Sequence, residues 1–251
     1  MPYKEIKILK QHGIQYIKDL KNVKLTPLFR GMPVIGNNIS ETEAQMIQNL
    51  CPVNAIGTSP FSIDLGKCVF CKECQFVSKG KIIFSNNYKI ATNKRQNLII
   101  TANSNTNTLI DETLIRKEIR KTFRSALKLR QVSAAGDNSA EMELNASMNV
   151  NFDLGRYGIE FVASPRHADG IVITGPISEN MAKALQICYD AVPDPKIIIL
   201  VGTDAISGSI FAESKAINRE FLDKYHVDLY VPGNPPHPLT FINGILELLK
   251  R

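Results

Sequence analysis

Cys68, Cys71 and Cys74 stand in GKCVFCKECQFVSKG, residues 66–80, each separated from the next by two residues. Thiolates so spaced on one short loop are soft metal ligands, suited to zinc or to an iron–sulfur group, and three of them leave a four-ligand set one short. Two further cysteines are available: Cys51 in LCPVNAIG and Cys188 in MAKALQICYDAV. An odd total of five, in a chain whose charged N-terminus does not read as a secretory leader, argues against a disulfide framework and for metal. Cys188 sits in a helical pattern and reads as a small apolar packing residue.

The spacing identifies the fourth ligand. In two-cluster C-x₂-C-x₂-C-x₃-C-P proteins the last cysteine of each run serves the other run's cluster. Ser78 occupies the fourth place of the local run, and Cys51-Pro52 supplies the C-P end of a partner run whose first three positions fall on Glu41, Ala44 and Ile47. One set of four positions (41, 44, 47, 78) therefore holds no thiol, and the other (51, 68, 71, 74) holds four. The reading is a ferredoxin-like α+β domain with one 4Fe–4S cluster on Cys51, Cys68, Cys71 and Cys74. A Cys₄ zinc site is the alternative.

Three features of composition bound the rest. At 251 residues the chain suits one large domain or two small ones, and 44% hydrophobic against 22% charged residues is the balance of a soluble globular protein. No apolar run approaches the length of a membrane span, so a cytoplasmic protein is expected, peripheral at the inner face of the membrane through its partners. A net charge of +6 is concentrated in IRKEIRKTFRSALKLR, residues 115–130, which reads as a solvated helix face. Without Trp or interleaved aromatics, nucleic-acid binding is not expected.

The elements that must carry any site change character near residue 100. Residues 1–95 are turn-rich and hold four of the five cysteines; 96–125 read as a polar linker running into the basic helix; 126–251 alternate apolar runs with helical patterns. LKLRQV, GIEFVAS, GIVITGP, KIIILVGT and VDLYVPG predict strands, while NSAEMELNASMN, SENMAKALQICYDAV, AISGSIFAESKAINREFLDKY and PLTFINGILELLKR predict helices. Alternation of this kind implies an α/β parallel sheet, whose loops at the C-terminal strand ends gather Asp137, Arg166, His167, Asp204, Asn234 and His237.

Across residues 124–250 the strings SPRHAD, VITGP, GTDAISGSIF and PGNPPHP resemble, in order and spacing, the small subunit of energy-converting nickel–iron hydrogenases of the formate-hydrogenlyase-like group, and equally the 20 kDa subunit of respiratory complex I. The resemblance implies a flavodoxin-like domain holding a proximal four-iron cluster beside a large subunit. It also implies cluster ligands at C-x₂-C-x₂-E, V-G-x-C-A and P-G-C-P-P. Those positions fall here on Asp137, Ala140 and Glu143, on Asp204 and on Asn234, so all four cysteine places are replaced although Glu143, Arg166, His167, Pro232, Gly233, Pro235 and Pro236 match. Oxygen donors and an alanine do not suit a cubane. A polar pocket or a hard cation on Asp137, Asp204 and Asn234 are the readings left for that place.

Two functions follow from the resemblance. The chain is an iron–sulfur subunit of a complex I-like or hydrogenase-like assembly, relaying electrons through one cluster beside a large subunit and membrane arm. Alternatively it is a scaffold of such a complex, in which the remaining cluster is structural. An autonomous enzyme would need Asp137, Asp204, Arg166, His167 and His237 to form an acid/base group, and neither a nucleophile–base spacing nor a phosphate-binding glycine loop supports it.

Overall fold

The computed structural model describes residues 2–104 and 109–251. Helix α1 (Pro2–His12) opens the chain with its described side chains exposed. An α+β unit follows. Strand β1 (Pro33–Ile35) leads into α2 (Glu41–Leu50), whose start is fixed by a capping box: Ser40 accepts from the Glu43 N–H, and the Glu43 carboxylate accepts from the Ser40 N–H. Lys81 closes on the same carboxylate at 2.6 Å and holds its pKa at about 2.

Strands β2 (Ile56–Thr58) and β3 (Phe61–Asp64) form a hairpin, α3 (Glu73–Val77) follows the cysteine loop, and β4 (Ile82–Phe84) returns antiparallel to β1. Within the predicted linker, Ile99–Thr101 form β5, which pairs antiparallel with β3. Residues 105–108 of that linker lie outside the described residues.

The basic run departs from a single solvated helix. Only Lys117–Thr122 are helical (α4), while Leu127–Ser133 form β6, the strand expected at LKLRQV, with Leu127 and Leu129 alternating into the core. Arg116 is tied inward. Its guanidinium donates to Asp228 and to the Lys196 carbonyl.

From β6 the chain runs through α5 (Ser139–Ser147), β7 (Ile159–Phe161), β8 (Gly170–Thr174), α6 (Glu179–Ala191), β9 (Ile197–Val201), α7 (Thr203–Ser207), α8 (Glu220–Lys224), β10 (Leu229–Val231) and α9 (Pro238–Leu249). The five strands are all parallel in the order β7-β6-β8-β9-β10, the doubly wound flavodoxin-like arrangement with its switch point between β6 and β8. Every residue of β8 and β9 is buried, as expected of a sheet covered on both faces. The helix predicted over 205–225 is broken: Gly208, at φ 83°, donates its N–H to the Asp204 carbonyl and ends α7, and the chain turns again before α8.

Alternate strand residues feed two cores. Val172, Ile197, Ile199 and Val201 pack with α5 and α9. Ile171, Ile173, Ile198 and Leu200 pack with α6 and α8, and this core continues without a break into Ile63, Leu65, Ile82 and Leu98 of the N-terminal half. Helix α9 is buried on nearly all sides because residues near Leu20 and Tyr88 cover its outer face. Asn243 donates to the Leu20 carbonyl (2.8 Å) and Thr240 to the Tyr88 carbonyl (2.8 Å).

Candidate functional site

Cys51, Cys68, Cys71 and Cys74 line one small cavity of about 20 Å³, walled by Ile47, Val53, Ile56, Ile63 and Phe84. Local backbone places each sulfur. Cys51 ends α2, where it caps the helix through its own N–H to the Gln48 carbonyl, and its Sγ accepts from the Ala55 N–H at 3.2 Å. Asp64 anchors the cysteine loop by accepting from the Gly66 N–H (2.9 Å), while its carboxylate is gripped by both Arg95 guanidinium nitrogens at 2.8 and 2.7 Å. Phe70 and Lys72 adopt left-handed backbone (φ 53° and 71°), which curls the loop between successive cysteines, and the Phe70 N–H donates to Cys68 Sγ at 3.3 Å.

All four are free thiols. Burial pushes the Cys68 thiol up strongly and that of Cys74 to about 11, with the neighbouring cysteines adding to both. Buried thiols such as Cys68 and Cys74 shed their protons only against positive charge, and a coordinating metal supplies it. The donor set, the apolar wall and the N–H groups aimed at sulfur fit an iron–sulfur group. Among the described residues no three His, Cys, Asp or Glu side chains are gathered as a single ion would need them, and the four cysteines line a cavity.

Ser78 takes no part in that wall. Its hydroxyl donates to the Gln75 carbonyl (3.1 Å) and accepts from the Ile82 N–H (3.1 Å), tying α3 to β4. Ala44 and Ile47, 2% and 1% exposed, fill core where the partner run would place ligands, and Glu41 faces solvent.

A second, tight cavity of about 10 Å³ opens at the switch point and collects Asp137, Ala140, Asp204 and Asn234. The loops after β6, β8, β9 and β10 build it. They approach closely through glycine: a Cβ on Gly175 (φ 79°) would fall 1.2 Å from the Ala135 carbonyl oxygen. The Ser139 hydroxyl and then its N–H, which donates to Asp137 at 2.9 Å, keep the Asp137 carboxyl low. Asp204 is raised by burial first and by Asp137 and Glu141 next. Glu141 accepts from the Ser133 and Thr174 hydroxyls, each at 2.6 Å. Thr203 Oγ1 is buried without a hydrogen-bond partner, as are Asp204 Oδ1 and the Ser209 hydroxyl, which are neighbours outside hydrogen-bonding geometry.

A third, larger cavity separates the first two. Glu143, Pro232–His237 and Thr240 line it from the α/β side and Phe29, Arg30 and Phe70 from the N-terminal half, so the cysteine loop abuts the loop after β10. Arg30 holds the Phe70 carbonyl at 2.7 Å. Burial raises the Glu143 carboxyl and lowers His237 to about 4; His237 Nδ1 accepts from the Leu239 N–H and caps α9.

Of the residues expected along the sheet edge, Asp137, Asp204 and Asn234 meet and His237 lies next to them. Arg166 and His167 do not join: they are exposed in the β7–β8 crossover and line none of these cavities. Thr203 and Glu141 escaped the sequence reading, since a threonine after a strand and a glutamate in a helix carry no local signal of burial. Arg30 lies in a turn with no motif.

Residues 138–248 match the family described as NADH ubiquinone oxidoreductase, 20 Kd subunit. Over 120 residues the chain is 34% identical to a probable membrane-bound hydrogenase subunit of Pyrococcus furiosus, covering 48% of this chain and 72% of that one. Over 108 residues it is 42% identical to an NADH-quinone oxidoreductase subunit of Heliobacterium modesticaldum, covering 43% and 62%. A chain in the structure of the membrane-bound sulfane sulfur reductase, an archaeal respiratory membrane complex, is 31% identical with a TM-score of 0.45, covering 53% of this chain and 73% of that one.

Proposed function

The chain belongs to the family of the 20 kDa subunit of NADH ubiquinone oxidoreductase, and on that premise we propose that it is a peripheral iron–sulfur subunit of a membrane-associated, multisubunit oxidoreductase of the hydrogenase or complex I type. Its one 4Fe–4S cluster sits on Cys51, Cys68, Cys71 and Cys74. The observation that carries this reading is the meeting of those four thiols, from two separate segments, around one apolar cavity. Bound there, the cluster supplies one-electron redox chemistry. The protein's own groups supply the setting: apolar side chains exclude water, and the Ala55 and Phe70 N–H groups stabilise the thiolates of Cys51 and Cys68. Sulfurs spread around a cavity favour a multi-iron group over the single zinc of the alternative reading.

The proximal cluster of the family is absent here. Asp137, Ala140, Asp204 and Asn234 stand at its ligand positions, and their convergence on one cavity supports that correspondence. No helix of the described residues is long and apolar enough to cross a membrane. In this reading the chain reaches the membrane arm through partner subunits, the large subunit among them, at the cytoplasmic face.

The missing proximal group also gives weight to a second reading, a scaffold whose remaining cluster is structural. Cys68→Ser in the assembled complex separates the two. Intact assembly with electron flow abolished supports the relay; loss of folded chain supports the structural cluster; unchanged iron content contradicts both.

A further inference from the structure

The cavity at the switch point is lined by three carboxylates, Asp137, Glu141 and Asp204, and by no lysine or arginine among the described residues. Glu141 is satisfied by two hydroxyl donors. Asp204 is not: its Oδ1 is buried without a hydrogen bond, with the Ser209 hydroxyl as its neighbour and Asp137 and Glu141 close by. Independently, Thr203, fully buried at 0% exposure, lines the same cavity with a hydroxyl that has no partner. A buried hydroxyl and a buried carboxylate oxygen left unpaired both disfavour the fold unless something binds them. Here they lie beside the exposed Asp137 carboxylate at the rim and the half-buried Asn234 amide.

Carboxylate, hydroxyl and amide oxygens are hard donors, and together they are the ligand chemistry of magnesium, calcium or manganese rather than of iron–sulfur groups. We propose that this cavity binds one hard divalent cation through Asp204, Asp137, Thr203 Oγ1 and Asn234, in the place where relatives of this fold keep a redox group. The ion neutralises the acidic loops and ties together the turns after β6, β9 and β10. This rests on the reading that the α/β domain has no iron cluster of its own, and the two are tested separately.

The experiment titrates Mn²⁺ into the full chain, purified anaerobically and freed of divalent ions by chelator, following the loss of the free Mn²⁺ EPR signal and the melting temperature. The expected result is one site per chain, displaced by Mg²⁺ or Ca²⁺, with a melting temperature raised by the ion. Asp204→Asn and the rim variant Asp137→Asn each weaken binding at least tenfold, and Thr203→Val weakens it while the chain melts cooperatively. The rim variant guards against a folding defect at Asp204. Absence of binding up to millimolar Mn²⁺, or binding unchanged in both aspartate variants, overturns the proposal. So does an Asp204→Asn chain that melts higher than wild type while neither responds to Mn²⁺, which marks Asp204 as a protonated carboxyl only. Four irons with no manganese site defeats this inference alone; eight irons defeats the single-cluster reading beneath it.

Discussion

Among individual residues, the distinction that matters is between thiols that face a cavity and side chains that replace thiols. Ser78 shows it most clearly. It sits in the fourth place of the cysteine run, yet its hydroxyl is engaged by Gln75 and Ile82. Ser78→Ala should cost about 1 kcal/mol of stability from the lost hydrogen bonds and leave iron per chain unchanged, checked by denaturant unfolding and iron analysis. A fall in iron would mean that Ser78 serves the cluster. The meeting of the four cysteines was legible in the sequence because three share one loop and the fourth carries its own C-P signature. Glu141 was not, because only the packing of β6 against β8 brings it towards Asp204, and nothing local marks Thr203, next to Asp204, as buried.

Among the elements, the five parallel strands were readable as short apolar runs between helical patterns, and their order follows the doubly wound rule. The basic run was not. Charge spacing alone suggested a solvated helix over residues 115–130, whereas Arg116 answers the carboxylate of Asp228, which is only 7% exposed and lies far along the chain. Burial raises the Asp228 carboxyl, and Arg116 opposes that rise. Arg116→Ala should therefore destabilise the fold by about 2 kcal/mol at pH 7, less than a fully buried pair would cost because Arg116 is partly exposed.

The sign of its pH dependence follows. Asp228 titrates higher in the folded than in the unfolded chain, so its ionisation lowers stability as pH rises above the unfolded value of 3.8, and more so without Arg116. The Arg116→Ala deficit should shrink on going from pH 7 to pH 4. Lys121→Ala, on the exposed side of α4, should change stability by under about 0.5 kcal/mol. Equal effects of the two substitutions would show that the run is a solvated face after all.

In the molecule as a whole, the two halves share one core and meet at a cavity where the cysteine loop faces the loop after β10. The sequence showed the change of texture near residue 100, but not that α9 would be wrapped by residues near Leu20 and Tyr88, since the contact joins opposite ends of the chain. In this arrangement a cavity lined from both halves lies between the N-terminal cysteine cavity and the sheet edge, and at that edge oxygen donors gather on Asp137, Asp204 and Asn234. The proposed function stands or falls on one iron–sulfur cluster per chain, held in the N-terminal half. Iron, acid-labile sulfide and zinc counted on anaerobically purified chain, with EPR after dithionite reduction, decide it. The expected result is about four irons, matching sulfide and a single reduced-cluster signal. About eight irons, or one zinc without sulfide, would contradict it.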